Sequence, residues 1–191
     1  GYRAPDKKNP ARAMDIRPET PDGLKPKDLI GIPWRLAFAL QDDGWYLRSD
    51  VVWHKPNAMP ESVKDRPARA HEFLFMLTKS ERYFYDWRAA REPADGGGLR
   101  NRRSVWHVNT KPFAGAHFAT FPPELIRPCI QVSTEPGDYV LDPFFGSGTV
   151  GLVCQAENRQ YVGIELNPEY VSLAADRLQG LDSNVIRIAA A

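Results

Sequence analysis

The sequence has little cysteine, no surplus of one charge and no long apolar run. Its 191 residues hold two cysteines, Cys129 and Cys154, both in segments that read as helices. A disulfide framework is therefore excluded, and a reducing compartment fits. Lysine and arginine number 25 against 24 acidic residues, a formal charge of +1, so the balance itself implies no polyanionic partner. No apolar stretch approaches the ~18 residues of a membrane span, and no signal-peptide pattern opens the chain, which predicts a cytoplasmic protein. His54 and His71 form no metal-spaced set with the cysteines, so no metal site is expected. Internal repeats and low-complexity tracts are also missing.

What is present centres on Tyr139-Val140-Leu141-Asp142-Pro143-Phe144-Phe145-Gly146-Ser147-Gly148-Thr149. It reads as a short strand, a glycine-rich turn and a helix start, with Ser147 or Thr149 as the expected cap. Gly146 and Gly148 allow a tight turn that brings bare N–H groups near a ligand. A second strand, 161–165, ends in Glu165, whose carboxylate suits the two hydroxyls of a ribose. A nucleoside-containing cofactor at the carboxyl ends of a parallel sheet is the expectation.

Residues 146–151 also spell a literal G-x-G-x-x-G, the pattern of a nicotinamide or flavin dinucleotide site. Two features oppose that reading. Four residues, 142–145, separate the strand from the glycines, and Asp142 at the strand tip would repel a pyrophosphate. A ligand with a positive centre, a ribose and no phosphate fits better, and S-adenosylmethionine is such a ligand.

Elsewhere, residues 1–26 read as a mobile lead or surface loop. A helix is predicted over 28–41 with Asp28 as cap, although Pro33 suggests a late start or a kink. Strands are predicted at 45–53 and 71–78, with Arg82–Asp86 folding back on the latter as a hairpin. The stretch 87–112 gathers Arg88, Arg91, Arg100, Arg102, Arg103 and Lys111 around Trp87 and Trp106, a basic patch interleaved with aromatics. Helices follow at 122–132 and 167–178, the second capped by Asn167 ahead of Pro168. A last strand is predicted at 185–188.

The run Leu141–Thr149 resembles the S-adenosylmethionine motif of amino-methylating DNA methyltransferases, which modify adenine N6 or cytosine N4. Other stretches resemble the same family in its β-type order, catalytic half first: 23–29, Trp53-His54-Lys55-Pro56-Asn57, 101–106, His117-Phe118-Ala119-Thr120-Phe121-Pro122 and Gly163-Ile164-Glu165-Leu166-Asn167-Pro168. The resemblance spans roughly residues 23–178. It implies an α/β, Rossmann-like S-adenosylmethionine-dependent methyltransferase fold, with a mixed, mostly parallel sheet and a hairpin. It also implies a division into a lead (1–26), the remainder of a catalytic half (27–86), a short target-recognition stretch (87–112) and a cofactor-binding half (113–191). Cofactor contacts are implied for Phe118, Ala119, Thr120, Asp142, Pro143, Phe144, Gly146, Ser147, Gly148, Thr149 and Glu165. Core packing is the alternative role for Phe144 and still more for Phe145. The implied partner is double-stranded DNA with a flipped target base, met by Lys55, Arg100, Arg102 and Arg103.

One family element is missing. The family grips the flipped base with a Ser/Asp/Asn-Pro-Pro-aromatic tetrapeptide. The nearest match, Phe121-Pro122-Pro123-Glu124, has neither the polar first residue nor the aromatic fourth. In the β-type order the tetrapeptide is expected upstream of Gly1, so no catalytic residue is assigned and this chain alone is expected to be inactive. A non-catalytic cofactor- or DNA-binding remnant, a nicotinamide-dependent oxidoreductase, and a methyltransferase acting on RNA or protein are the rival readings.

Overall fold

The computed structural model of the chain describes residues 20–111, 120–178 and, as backbone, 185–188. Helix α1 (Ile32–Asp42) precedes strands β1 (Tyr46–His54) and β2 (His71–Thr78). Three short strands follow: β3 (Arg91–Pro93), β4 (Leu99–Asn101) and β5 (Val105–His107). Then come α2 (Pro123–Ser133), β6 (Tyr139–Asp142), α3 (Thr149–Ala156), β7 (Gln160–Ile164), α4 (Pro168–Leu178) and β8 (Val185–Ile188). Among the described residues no helix is long and apolar enough to cross a membrane.

The first sheet has the order β2-β1-β5, with β1 antiparallel to β2 and parallel to β5. Helix α1 lies against it through Trp34, whose ring meets Phe73 and Phe75 edge-on at centroid distances of 5.0 and 4.8 Å. The helix starts later than predicted. Gly31 adopts a left-handed φ of 71°, and Pro33 falls in the first turn, where its missing N–H costs nothing. Asp28 is not the cap; its carboxylate accepts the Lys25 N–H at 2.9 Å in the preceding turn.

The predicted hairpin partner of β2 is also corrected. Residues 82–86 form no strand; the antiparallel partner of β2 is β1. The segment is instead held from outside the sheet. The Asp86 N–H donates to the Val132 carbonyl at 2.9 Å, and Arg48 donates to the Tyr83 hydroxyl at 3.1 Å. Within the basic stretch, β3 and β4 pair as a separate antiparallel arm closed by Gly96-Gly97-Gly98, while β5 joins the first sheet.

The second half is a βαβαβ unit. Strands β6, β7 and β8 are parallel in that spatial order, with α3 and α4 as the crossovers. Its core joins Ile130 of α2, Val150, Val153 and Cys154 of α3, Tyr161 of β7 and Leu178 of α4. These helices bury the periodic apolar faces that the sequence displays. Asn167 caps α4 as predicted, accepting the Glu169 N–H at 2.9 Å.

Candidate functional site

The site lies where β6 and β7, adjacent and parallel, both end. Register pairs Asp142 with Gly163, so the carboxylates of Asp142 and Glu165 stand at the same carboxyl rim, with the glycine turn between them. Open α/β sheets bind ligands at this rim. The Asp142 carboxylate accepts the Phe144 N–H at 3.0 Å, which folds the turn over the strand tip. Burial raises the Asp142 carboxyl above the ordinary aspartate range; the Phe144 N–H opposes the shift, and the charge of Glu165 adds to it. Glu165 is held by two backbone amides. One of its oxygens accepts the Gly146 N–H and the other the Asn167 N–H, each at 2.8 Å.

The turn owes its shape to two different uses of glycine. Gly146 and Gly148 take positive φ values of 51° and 76°, which L side chains rarely adopt. Gly151 and Gly163 serve packing instead. The Phe145 ring stacks on Tyr161 at 5.7 Å and 14°, and it fills the space a side chain would need at both positions. A Cβ on Gly151 would stand 2.8 Å from the Phe145 ring, and one on Gly163 only 2.4 Å from it. The third glycine of the literal G-x-G-x-x-G therefore makes room for an aromatic ring and faces no pyrophosphate.

Ser147 and Thr149 are buried, and neither side chain caps α3; the N-cap is Gly148, without a side-chain bond. This corrects the predicted cap. Both hydroxyls point instead to Arg177 of α4. Its Nη1 donates to the Ser147 carbonyl and hydroxyl at 3.0 Å each and to the Thr149 hydroxyl at 3.1 Å. The guanidinium fastens the turn from some thirty residues away in sequence.

Phe144 is 89% exposed and so takes no part in the core, whereas Phe145 does. Leu166, directly after Glu165, is 80% exposed. Sequence reasoning missed it. The available signal was an apolar residue between the terminal carboxylate of a strand and a helix cap, where burial has no use for it. Pro143 is exposed beside Phe144, and Thr120 is half-buried ahead of α2. Phe118 and Ala119 lie outside the described residues.

The four cations expected to meet DNA are mostly engaged within the chain. Lys55 pairs with Glu72 and lies 4.3 Å from the Trp53 ring centroid. Arg100 bridges Glu92 and Asp95 at 3.0 Å each, and Arg103 reaches Glu92 at 3.3 Å. Arg102 alone of the four has no carboxylate partner among the described residues; its guanidinium lies over Trp106 at 4.9 Å. An open groove of about 1030 Å³ runs along Arg102, Arg103, Trp106, His107 and Lys111, the last paired with Glu124. The groove wall is braced. Trp53 Nε1 donates to the Val108 carbonyl at 2.8 Å, and the Asn57 amide exchanges bonds with the Thr110 backbone at 2.9 and 2.8 Å.

The chain is similar to known proteins over most of its length. A family profile described as DNA methylase, of the N6/N4 methyltransferases, matches residues 7–176. The Type II methyltransferase M.XycI of Xanthomonas campestris pv. cyanopsidis is 91% identical over 191 residues, all of this chain and 64% of its own length. M.Cfr9I of Citrobacter freundii, also a Type II methyltransferase, is 83% identical over the same shares. The chain thus spans about 64% of the length of these curated relatives. Among solved structures, the M1.HpyAVI–SAM complex is similar with a TM-score of 0.60 and 29% identity, over 79% of this chain and 72% of that one. The PvuII DNA methyltransferase, cytosine-N4-specific, gives a TM-score of 0.66 and 26% identity, over 81% and 58%.

Proposed function

The chain belongs to the DNA methylase family of N6/N4 methyltransferases, and on that footing we propose that it forms the cofactor-holding and DNA-facing part of an amino-methylating enzyme. The reaction is methyl transfer from S-adenosylmethionine to the exocyclic amine of adenine (N6) or cytosine (N4) in DNA. The observation that carries this reading is the pair of carboxylates, Asp142 and Glu165, on either side of the Gly146 turn at one strand rim. S-adenosylmethionine supplies a sulfonium-activated methyl group; it also presents an ammonium, a ribose diol and a flat adenine. Asp142 suits the ammonium and Glu165 the ribose hydroxyls. Exposed Phe144 and Leu166 offer apolar surface to the adenine, while the backbone at Gly146 and Gly148 permits close approach. A pyrophosphate would meet two negative charges, and Gly151 is closed off by Phe145, so the oxidoreductase reading finds no support.

The acceptor amine is inaccessible inside a duplex. The target base is therefore turned out of the stack, at a cost of roughly a few kcal/mol. Attraction to the phosphates comes from the groove cations, Arg102 first. Replacing Arg102 by alanine is expected to weaken binding to every duplex sequence alike and to make the salt dependence shallower by about 0.9 in log–log slope. Fluorescence anisotropy across a salt series measures both; an unchanged slope removes Arg102 from the interface. Bacterial DNA lies in the cytoplasm, and the same reading puts the protein there.

Titration calorimetry tests the cofactor assignment. One S-adenosylmethionine per chain is expected, with no heat from a nicotinamide dinucleotide; the reverse result overturns the reading. The ionised form of Asp142 is the one that holds an ammonium. Because burial raises its folded pKa, affinity should be full above that value and fall as pH drops through it, earlier on acidification than for an exposed aspartate. For stability the sign is opposite. Ionised Asp142 costs stability above its folded pKa, and the cost is relieved below it. Asp142→Asn should abolish the acid-side loss of affinity and bind more weakly than the parent where the parent's carboxylate is ionised.

A further inference from the structure

The β3–β4 arm has two unlike sides. Register sets Glu92 opposite Arg100 and Arg91 opposite Asn101, and the alternation of side chains along a strand sends these two pairs to opposite sides. The inner side closes on itself. Glu92 accepts bonds from Arg100 and Arg103 at 3.0 and 3.3 Å, and Asp95, beside the tip, bonds to the same Arg100 at 3.0 Å. The cations and carboxylates of that side cancel, and it borders the groove. The outer side carries Arg91, Asn101 and Leu99, all exposed. At its base the Trp87 ring is also exposed, with the Arg88 and Arg91 guanidinium carbons 4.7 and 5.7 Å from its centroid.

Neither Arg88 nor Arg91 has a carboxylate partner among the described residues. Asp86, the neighbouring acid, turns its carboxylate to the Arg88 and Ala89 N–H groups at 2.9 and 3.3 Å. Even with its charge counted, the outer side is left positive. The arm is also well held. Ala90 is buried, and the Asp86 N–H bonds to Val132 of α2. Arg91 Nη2 donates to the Leu99 carbonyl, which fixes the guanidinium and leaves its other N–H groups for a ligand. The arm closes through three glycines, Gly97 and Gly98 with positive φ of 88° and 77°, so no side chain widens the turn itself.

We propose that this outer side reads base edges, the arm entering the major groove of a duplex as a two-stranded ribbon, with Arg91 toward a guanine, Asn101 toward the adjacent base and Arg88 toward a phosphate. This rests on the DNA reading above. It supplies what Arg102 does not, a means of telling one sequence from another. The dimensions agree. The major groove is about 12 Å wide and admits two strands, which lie about 4.8 Å apart. Three residues of extended chain span about 10 Å, the rise of about three base pairs. Arginine meets O6 and N7 of guanine with two N–H groups, and asparagine carries the donor and acceptor that a base edge demands. Bare guanidiniums beside a tryptophan suit a polyanion better than a protein, whose contact centres are depleted of charge.

Selection of the full chain against a library of duplexes with a randomised stretch, followed by sequencing, tests the proposal. The parent should enrich a guanine-containing site and, by fluorescence anisotropy, bind it about tenfold or more tighter than a scrambled duplex. Arg91→Ala should erase the preference at one guanine position and lose about fivefold or more on the selected site. Asn101→Ala should relax the position beside it. Arg88→Ala should weaken selected and scrambled duplexes by the same factor, with a salt slope shallower by about 0.9. Thermal melting checks folding, and variants on both strands keep the test valid if one is unstable. Parent-like preferences at every position in both Arg91→Ala and Asn101→Ala overturn the proposal. So does a parent that binds duplex without enriching any sequence, or a set of variants that alters self-association in sedimentation while duplex binding stays unchanged; these results leave the DNA reading in place. No duplex binding by the parent overturns both.

Discussion

Gly163→Ala is expected to destabilise the fold by about 3 kcal/mol, the upper part of the range for overpacking a core. The added methyl would stand 2.4 to 2.7 Å from three atoms of the Phe145 ring. The ring has no retreat, since Tyr161 stacks on its face and α3 approaches through Gly151. The companion experiment is Phe145→Ala, which should cost about 3–5 kcal/mol as a cavity. In the double variant the methyl fills part of that cavity, so the two costs should be far from additive, with the double variant no less stable than Phe145→Ala alone. Urea unfolding of the four proteins measures the coupling. Simple additivity would mean that the ring and the strand do not meet as described.

Glu165→Gln is expected to weaken S-adenosylmethionine binding by about 10- to 100-fold, the equivalent of one to two lost charge-assisted hydrogen bonds. A carboxylate offers about four acceptor sites. The amides of Gly146 and Asn167 use one on each oxygen. Glutamine keeps the shape but replaces one acceptor with a donor. A purely structural role for Glu165 would weaken all ligands alike. The discriminating measurement is therefore a cofactor analogue lacking the 2′ and 3′ hydroxyls, which should lose clearly less affinity from the substitution than the cofactor does. If the analogue loses as much affinity as the cofactor does, the ribose contact is wrong.

The parts of this site legible in the sequence were those set by local order along the chain. Asp142 and Glu165 could be found because each ends a strand that runs into a turn and a helix, and a parallel pair of such units brings the two ends together. Contacts across the fold were not legible. The pattern G-x-G-x-x-G does not say what fills the space beside its third glycine; here that is Phe145, six residues earlier. The aromatic run at 82–86 has strand composition, but its backbone donor is claimed by Val132 of α2, so no ladder forms. The arginines of the basic stretch advertised DNA, yet composition cannot reveal that Glu92 holds two of them.

The bond from Arg177 to Ser147 and Thr149 sets a lower bound on the smallest piece of this protein that can hold a cofactor. A polypeptide ending after β7 would retain Asp142, both turn glycines and Glu165. It would lose the guanidinium that keeps the turn in place. It would also lose Ala174 and Leu178, whose side chains a Cβ on Gly148 would meet at 3.2 and 3.3 Å. Any minimal cofactor-binding fragment must therefore extend through α4, even though none of that helix's residues has been assigned a contact with the ligand.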